Sequence, residues 1–185
     1  KEMIDREKPD IVSVATQPEH RAEIVIYAAK NGVRAIYAEK ALAASMEDAE
    51  AMREAVERNG VFLNMGTNRR WDVGYDTMKS VVDSGRIGSL KTLISHMTGT
   101  MFNTASHIFD LLVRLNNDAP VAWVQAHLTN GDKVIDGNRL TEDPTGIGTL
   151  CCENGVMLHA INSGRGPSSC RCTWRVAKCS SCRVL

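Results

Sequence analysis

Three short strand-like runs, separated by helix-length amphipathic segments, constrain the fold more than any other feature of this sequence. DIVSVAT (Asp10 to Thr16) is a β-branched run that carries no charge after Asp10, the pattern of a buried strand in a parallel sheet. PEHRAEIVIYAAKNG follows, with Ala22, Ile24, Val25, Ala28 and Ala29 at helical spacing. Pro18 suits a first helical turn, and Asn31-Gly32 suits a helix end. RAIYAEK (Arg34 to Lys40) predicts a second strand. SMEDAEAMREAVERNG predicts a helix capped by Ser45, with acids in its first turn, Arg58 in its last and Asn59-Gly60 behind it. VFLNMGT (Val61 to Thr67) predicts a third strand. Strands that alternate with helices in this way form βαβ units, which pair in parallel through right-handed crossovers.

Beyond residue 70 the periodicity changes. VGYDTMKSVVDSG (Val73 to Gly85) reads as a helix and SLKTLISHMTG as an alternating strand. TASHIFDLLVRLNN (Thr104 to Asn117) is an amphipathic helix with Ile108, Leu111, Leu112 and Leu115 on one face. PVAWVQAHLTN, TGIGTLCCENG and VMLHAINSG then follow with no helix between them, and Asn154-Gly155 is a strong hairpin signal. The expected fold is α/β. Residues 1–70 supply part of a doubly wound parallel sheet, and residues 71–164 an α+β domain with a largely antiparallel sheet.

Composition narrows the function classes. The 185 residues suit one domain or parts of two. With 22 Lys+Arg against 22 Asp+Glu there is no electrostatic case for a nucleic-acid partner. No apolar run is long enough to span a bilayer, and the charged start KEMIDREKPD lacks the apolar core of a signal peptide. A soluble cytoplasmic protein is the expectation. Residues 165–185 stand apart, with five basic residues and no acid, and they hold Cys170, Cys172, Cys179 and Cys182. Four thiolates suffice for a structural zinc site, but the Cys170–Cys172 spacing is tight, so no metal is expected. Disulfides are disfavoured in a reducing compartment. A translation out of frame is the preferred reading of this tail. Permitted codons for Arg171 to Cys182 can be chosen whose neighbouring frame encodes Val-His-Val-Glu-Gly-Gly-Lys-Val-Phe-Ile-Leu, a strand, turn and strand of the kind the second domain needs next.

In open parallel sheets, ligands bind beyond the carboxyl ends of the strands. Those ends carry Thr16-Gln17-Pro18-Glu19-His20, Ala38-Glu39-Lys40-Ala41 and Gly66-Thr67-Asn68-Arg69-Arg70. Lys40 and His20 are candidates for chemistry there; the bland alternative is a solvated strand end. On the later helix, Asn103, His107 and Asp110 are spaced by four and three and so share a face. The alternative for His107 is a surface histidine with an i+3 carboxylate. GIGTLC (Gly146 to Cys151) and the GRG at Gly164 to Gly166 are weak matches to a phosphate-cradling loop and are expected to be turns.

At Glu39-Lys40 and SHIFD, the sequence resembles the Gfo/Idh/MocA family of NAD(P)-dependent oxidoreductases. The resemblance runs along most of residues 1–164, through PDIVSVATQPEH, AEKA, GTNRRW, SGRIGSLKTLISH, SHIFDLL and DPTGIGTLCCENGV in order. It implies the C-terminal part of a Rossmann doubly wound parallel sheet, then an α+β domain whose open sheet builds homo-oligomers. It also implies NAD or NADP as cofactor and a sugar- or polyol-like substrate. By resemblance, Lys40 takes the lysine of a Glu-Lys-Pro motif that contacts substrate and assists proton transfer, and His107 is the general acid/base. The two are expected to face one another across a crevice. Asn103 falls where many members have an aspartate. Together with Asp110 and with Arg69 or Arg70, it forms the expected substrate-binding set. Thr16, Gln17, Pro18 and His20 fall beside the nicotinamide, and Glu39 near its ribose.

Ala41 replaces the usual proline after Lys40, and the family's glycine-rich phosphate loop is expected to precede residue 1. KEMIDREK resembles the helix before the family's fourth strand. Residues 1–185 are therefore read as an N-terminally truncated fragment that binds NAD(P) weakly or not at all. The alternatives are a non-catalytic interaction scaffold and a zinc-stapled module built on the tail.

Overall fold

The computed structural model describes residues 1–129, 135–136, 139–162 and 173–176, and gives the backbone alone for 135–136, 139–140 and 173–176. The proposed zinc ligands Cys170, Cys172, Cys179 and Cys182, the frame change near residues 165–170 and the GRG segment lie outside the described residues. The chain divides into two units, Lys1–Thr67 with Val134–Glu142, and Asn68–Lys133 with Asp143–Leu185.

In the first unit the alternating pattern becomes α1 (Glu2–Glu7), β1 (Ile11–Val14), α2 (Pro18–Lys30), β2 (Ala35–Ala38), α3 (Met46–Arg58) and β3 (Phe62–Met65). The sheet is parallel in the order β1-β2-β3, in register from Ile11, Ala35 and Phe62 to Val14, Ala38 and Met65. Pro18 holds the first position of α2, where its missing N–H costs nothing. Ser45 Oγ accepts from the Asp48 N–H at 3.0 Å and caps α3. Val12, Val14, Ile36 and Ala38 pack with Val25, Ala28 and Ala29 of α2 and Met52, Ala55 and Val56 of α3. The other sheet face leaves Ile11 and Phe62 about two-thirds exposed. These strands therefore bury one side among the described residues. A short antiparallel pair, β6 (Ile135–Asp136) with β7 (Arg139–Leu140), belongs to the same unit.

The second unit opens with a 3₁₀ turn (Asn68–Trp71) and α4 (Val73–Asp83), then β4 (Thr92–Met97), α5 (Ala105–Leu115), β5 (Val121–Leu128), β8 (Gly146–Cys152), β9 (Met157–Asn162) and β10 (Thr173–Val176). Its sheet has the order β10-β4-β9-β8-β5. All neighbours are antiparallel except β4 and β9, which run parallel. Ile108, Leu111, Leu112 and Leu115 of α5 are buried on Leu93, Cys152, Leu158 and Ala160. Gly155, at φ +79°, makes the β8–β9 turn that Asn154-Gly155 announced. GIGTLC lies within β8, as the strand-like run TGIGTLCCENG implied, and is not a turn. A Cβ on Gly148 would stand 2.6 Å from the Phe109 ring, so that glycine lets α5 approach the sheet. No described helix is long and apolar enough to cross a membrane.

Candidate active site

Parallel pairing puts the last residues of β1, β2 and β3 side by side, so three turns leave from one edge of the first sheet. The ladder runs on into them: the Glu39 N–H donates to Val14 O at 3.0 Å, and the Gly66 N–H to Ala38 O at 2.7 Å. Thr16, Gln17 and His20 are exposed at this edge, and Pro18, Glu39 and Lys40 are half-buried. The Lys40 N–H donates to Glu39 Oε2 at 2.9 Å, which folds the glutamate back on its own turn. The Lys40–Ala41 peptide is cis.

Sequence reasoning missed Arg21. Its side chain is 1% exposed, and its guanidinium donates to Thr16 O from Nη2 and to Ala41 O from Nη1. Burial holds its pKa below the ordinary arginine value, against the opposing charges of Glu39 and Glu19. The available signal was its spacing of four from Val25 and seven from Ala28, which puts it on the buried stripe of α2.

In the second unit, Arg70 binds Asp110 with a two-point fork, Nε to Oδ2 at 3.0 Å and Nη2 to Oδ1 at 2.9 Å. Nη2 also reaches Asp118 Oδ1 at 3.0 Å. Burial opposes the charge on Arg70, but the two carboxylates outweigh it and raise the pKa above the ordinary value. This pairing fastens the 3₁₀ turn to α5. Arg69 lies with Asn68, Trp71, Asp72 and Tyr75 around an open cavity of about 530 Å³.

His107 and Asp110 lie on α5, three residues apart and both half-buried. Asn103 does not share that helix, which begins at Ala105. Asp143, another residue that sequence reasoning missed, binds the segment before it. Its carboxylate accepts from Thr100 Oγ1 at 2.6 Å and from the Phe102 and Asn103 N–H groups at 2.8 Å each. The Met101 N–H donates to Pro144 O at 2.7 Å. These bonds hold residues 100–103 as a turn. Among the described residues no group of three or more His, Cys, Asp or Glu side chains could hold a metal ion.

Parts of this chain are similar to known dehydrogenases. Over 79 residues it is 37% identical to a scyllo-inositol 2-dehydrogenase (NAD(+)) of Bacillus subtilis, a match that covers 43% of this chain and 23% of that protein. An inositol 2-dehydrogenase of Salmonella paratyphi B is 32% identical over 88 residues, covering 47% and 26%. The chain thus matches about a quarter of the length of these relatives. Among solved structures, a myo-inositol 2-dehydrogenase of Lactobacillus plantarum superposes with a TM-score of 0.77 at 20% identity, covering 97% of this chain and 58% of the other. GenD2 from gentamicin A biosynthesis, solved in complex with NAD, gives 0.79 at 15% identity, covering 97% and 55%. The sequence model of the oxidoreductase family with an NAD-binding Rossmann fold matches residues 1–67. These residues carry the chain's likeness to the Gfo/Idh/MocA family of oxidoreductases.

Proposed function

We propose that this protein is an NAD(P)-dependent oxidoreductase that moves a hydride between the nicotinamide and the hydroxyl- or carbonyl-bearing carbon of a sugar- or polyol-like substrate. The observation that carries this reading is the alignment of three strand ends on one sheet edge, with Glu39-Lys40 in the turn after the middle strand, in a chain whose relatives are inositol dehydrogenases. The exposed turn at Thr16, Gln17 and His20, with Pro18 opening α2, fits the nicotinamide and ribose end of a dinucleotide. Glu39 offers a carboxylate to ribose hydroxyls. When bound, NAD(P) supplies the hydride chemistry that no side chain can.

The protein's own part is to orient the substrate and handle one proton. Lys40 contacts the reacting oxygen and assists proton transfer, while His107 takes or returns the proton as general acid/base. Asn103 and Arg69 donate to substrate hydroxyls. Arg70 and Asp110 could contact substrate only by loosening their mutual fork, so their part is to fix the turn that carries Arg69. The same reading puts the protein in the cytoplasm, with small molecules as its partners.

The test is reduced-nicotinamide absorbance with the protein expressed from its full coding sequence, against cyclic polyols and aldoses, with NAD and with NADP. Reduction on at least one of them is expected; none with either cofactor would refute the assignment.

A scaffold role draws on a separate observation. Trp123 and Ile147 lie on the sheet face away from α5 and are 46% and 47% exposed. That face is proposed as the surface through which two copies associate. Sedimentation should show a dimer that the W123R/I147E double variant converts to monomer, and a monomeric wild-type protein would exclude it.

A further inference from the structure

A guanidinium removed from water needs a reason to be there. Arg21 is 1% exposed, and its Nε has no hydrogen-bond partner among the described residues. Burying a charge with part of its donor set unused costs free energy that an apolar side chain on the same stripe of α2 would not. The two donors that are used reach two separate turns. Nη2 donates to Thr16 O, just past β1, and Nη1 donates to Ala41 O, just past Lys40. The planar fork holds both acceptors at fixed directions from one rigid helix, which a lysine cannot do. Thr16 lies in the turn assigned to the cofactor, and Ala41 is bonded to the residue assigned to proton transfer.

We infer that Arg21 is a positioning residue that clamps the Thr16 turn to the Lys40–Ala41 turn and so fixes where the Lys40 amine stands relative to the bound substrate and cofactor. The clamp itself is a property of the first unit. Only its kinetic consequence rests on the oxidoreductase assignment.

The neighbouring hydrogen bonds make the clamp measurable. The amides of His20, Glu39 and Lys40 donate to Gln17 O, Val14 O and Glu39 Oε2 respectively, so they report on both turns by hydrogen exchange. R21K keeps the charge and loses the fork, and R21M keeps the length and loses both. In the full-length protein, both variants should raise exchange about tenfold in the peptides over residues 15–20 and 38–42 together, leaving α3 protected as in the wild type. With an active polyol substrate, R21K should lower kcat about tenfold with KM for polyol and nicotinamide within about twofold, because the amine is mis-aimed rather than removed.

Faster exchange in one turn only or in neither, loss of protection throughout the first unit, or failure of both variants to fold would overturn the clamp. Unchanged kcat in R21K with both turns loosened would overturn its link to Lys40. A wild-type protein that reduces no nicotinamide refutes the oxidoreductase assignment, and the exchange measurement still decides the clamp.

Discussion

Replacing Lys40 with methionine, or His107 with asparagine, is expected to lower kcat for polyol oxidation by a factor of about 10²–10⁴ while changing KM little. A hydroxyl that loses a hydride must also lose its proton, and a positioned group that accepts it lowers the barrier only in the transition state. Lys40 suits this because it is half-buried in the turn after β2, with its backbone N–H already bonded to Glu39. Methionine keeps that turn and deletes the amine. His107 is half-buried on α5, beside a stripe whose burial on the second sheet holds the helix. Asparagine keeps polarity there without an imidazole that can take up a proton. Steady-state kinetics on both variants check this. A single variant within about threefold of the wild-type kcat would remove that residue from the reaction.

Asp143→Ala is expected to cost about 2–4 kcal/mol of unfolding free energy in urea titrations, since three hydrogen bonds to one carboxylate disappear together. Their donors are the Thr100 hydroxyl and the Phe102 and Asn103 amides. All belong to the segment that leads into α5, where a negative charge also favours the helix dipole. Asp143→Asn retains one acceptor oxygen and should fall between alanine and the wild type. The loss should be accompanied by faster exchange over residues 100–106, with the protection of β8 and β9 intact. A change in stability below about 0.5 kcal/mol would show that water replaces the carboxylate at no cost.

The elements of the first unit were legible because their signals are local. Pro18, Ser45 and the Asn-Gly pairs at residues 31–32 and 59–60 mark helix ends within a few residues of where they act. The hairpin at Asn154-Gly155 was legible for the same reason. Helical spacing alone put His107 and Asp110 on one face. It failed at Asn103, which lies in the turn before α5, where its N–H donates to Asp143, forty residues away. Arg70 looked like a substrate ligand beside Arg69. The difference between them rests on Asp110 and Asp118, which approach only through packing of α5 against the 3₁₀ turn.

Arg21 shows the same limit from the other direction. Its charge argues for the surface in any local reading, and only the closure of two turns over α2 turns it into a buried donor. The parallel pairing of β4 with β9 was likewise out of reach, because it joins strands about sixty residues apart that no turn connects.

What the sequence by itself determined is the alternation of strand and helix, the caps, and the edge where Glu39-Lys40 must emerge, because backbone geometry and hydrophobic period act over a few residues. The tertiary structure decided which polar groups meet: Arg21 with two turns, Arg70 with two carboxylates, and Asp143 with the start of α5. Such pairings form only once distant segments are packed, when each buried donor must take the acceptor that the fold has brought within reach.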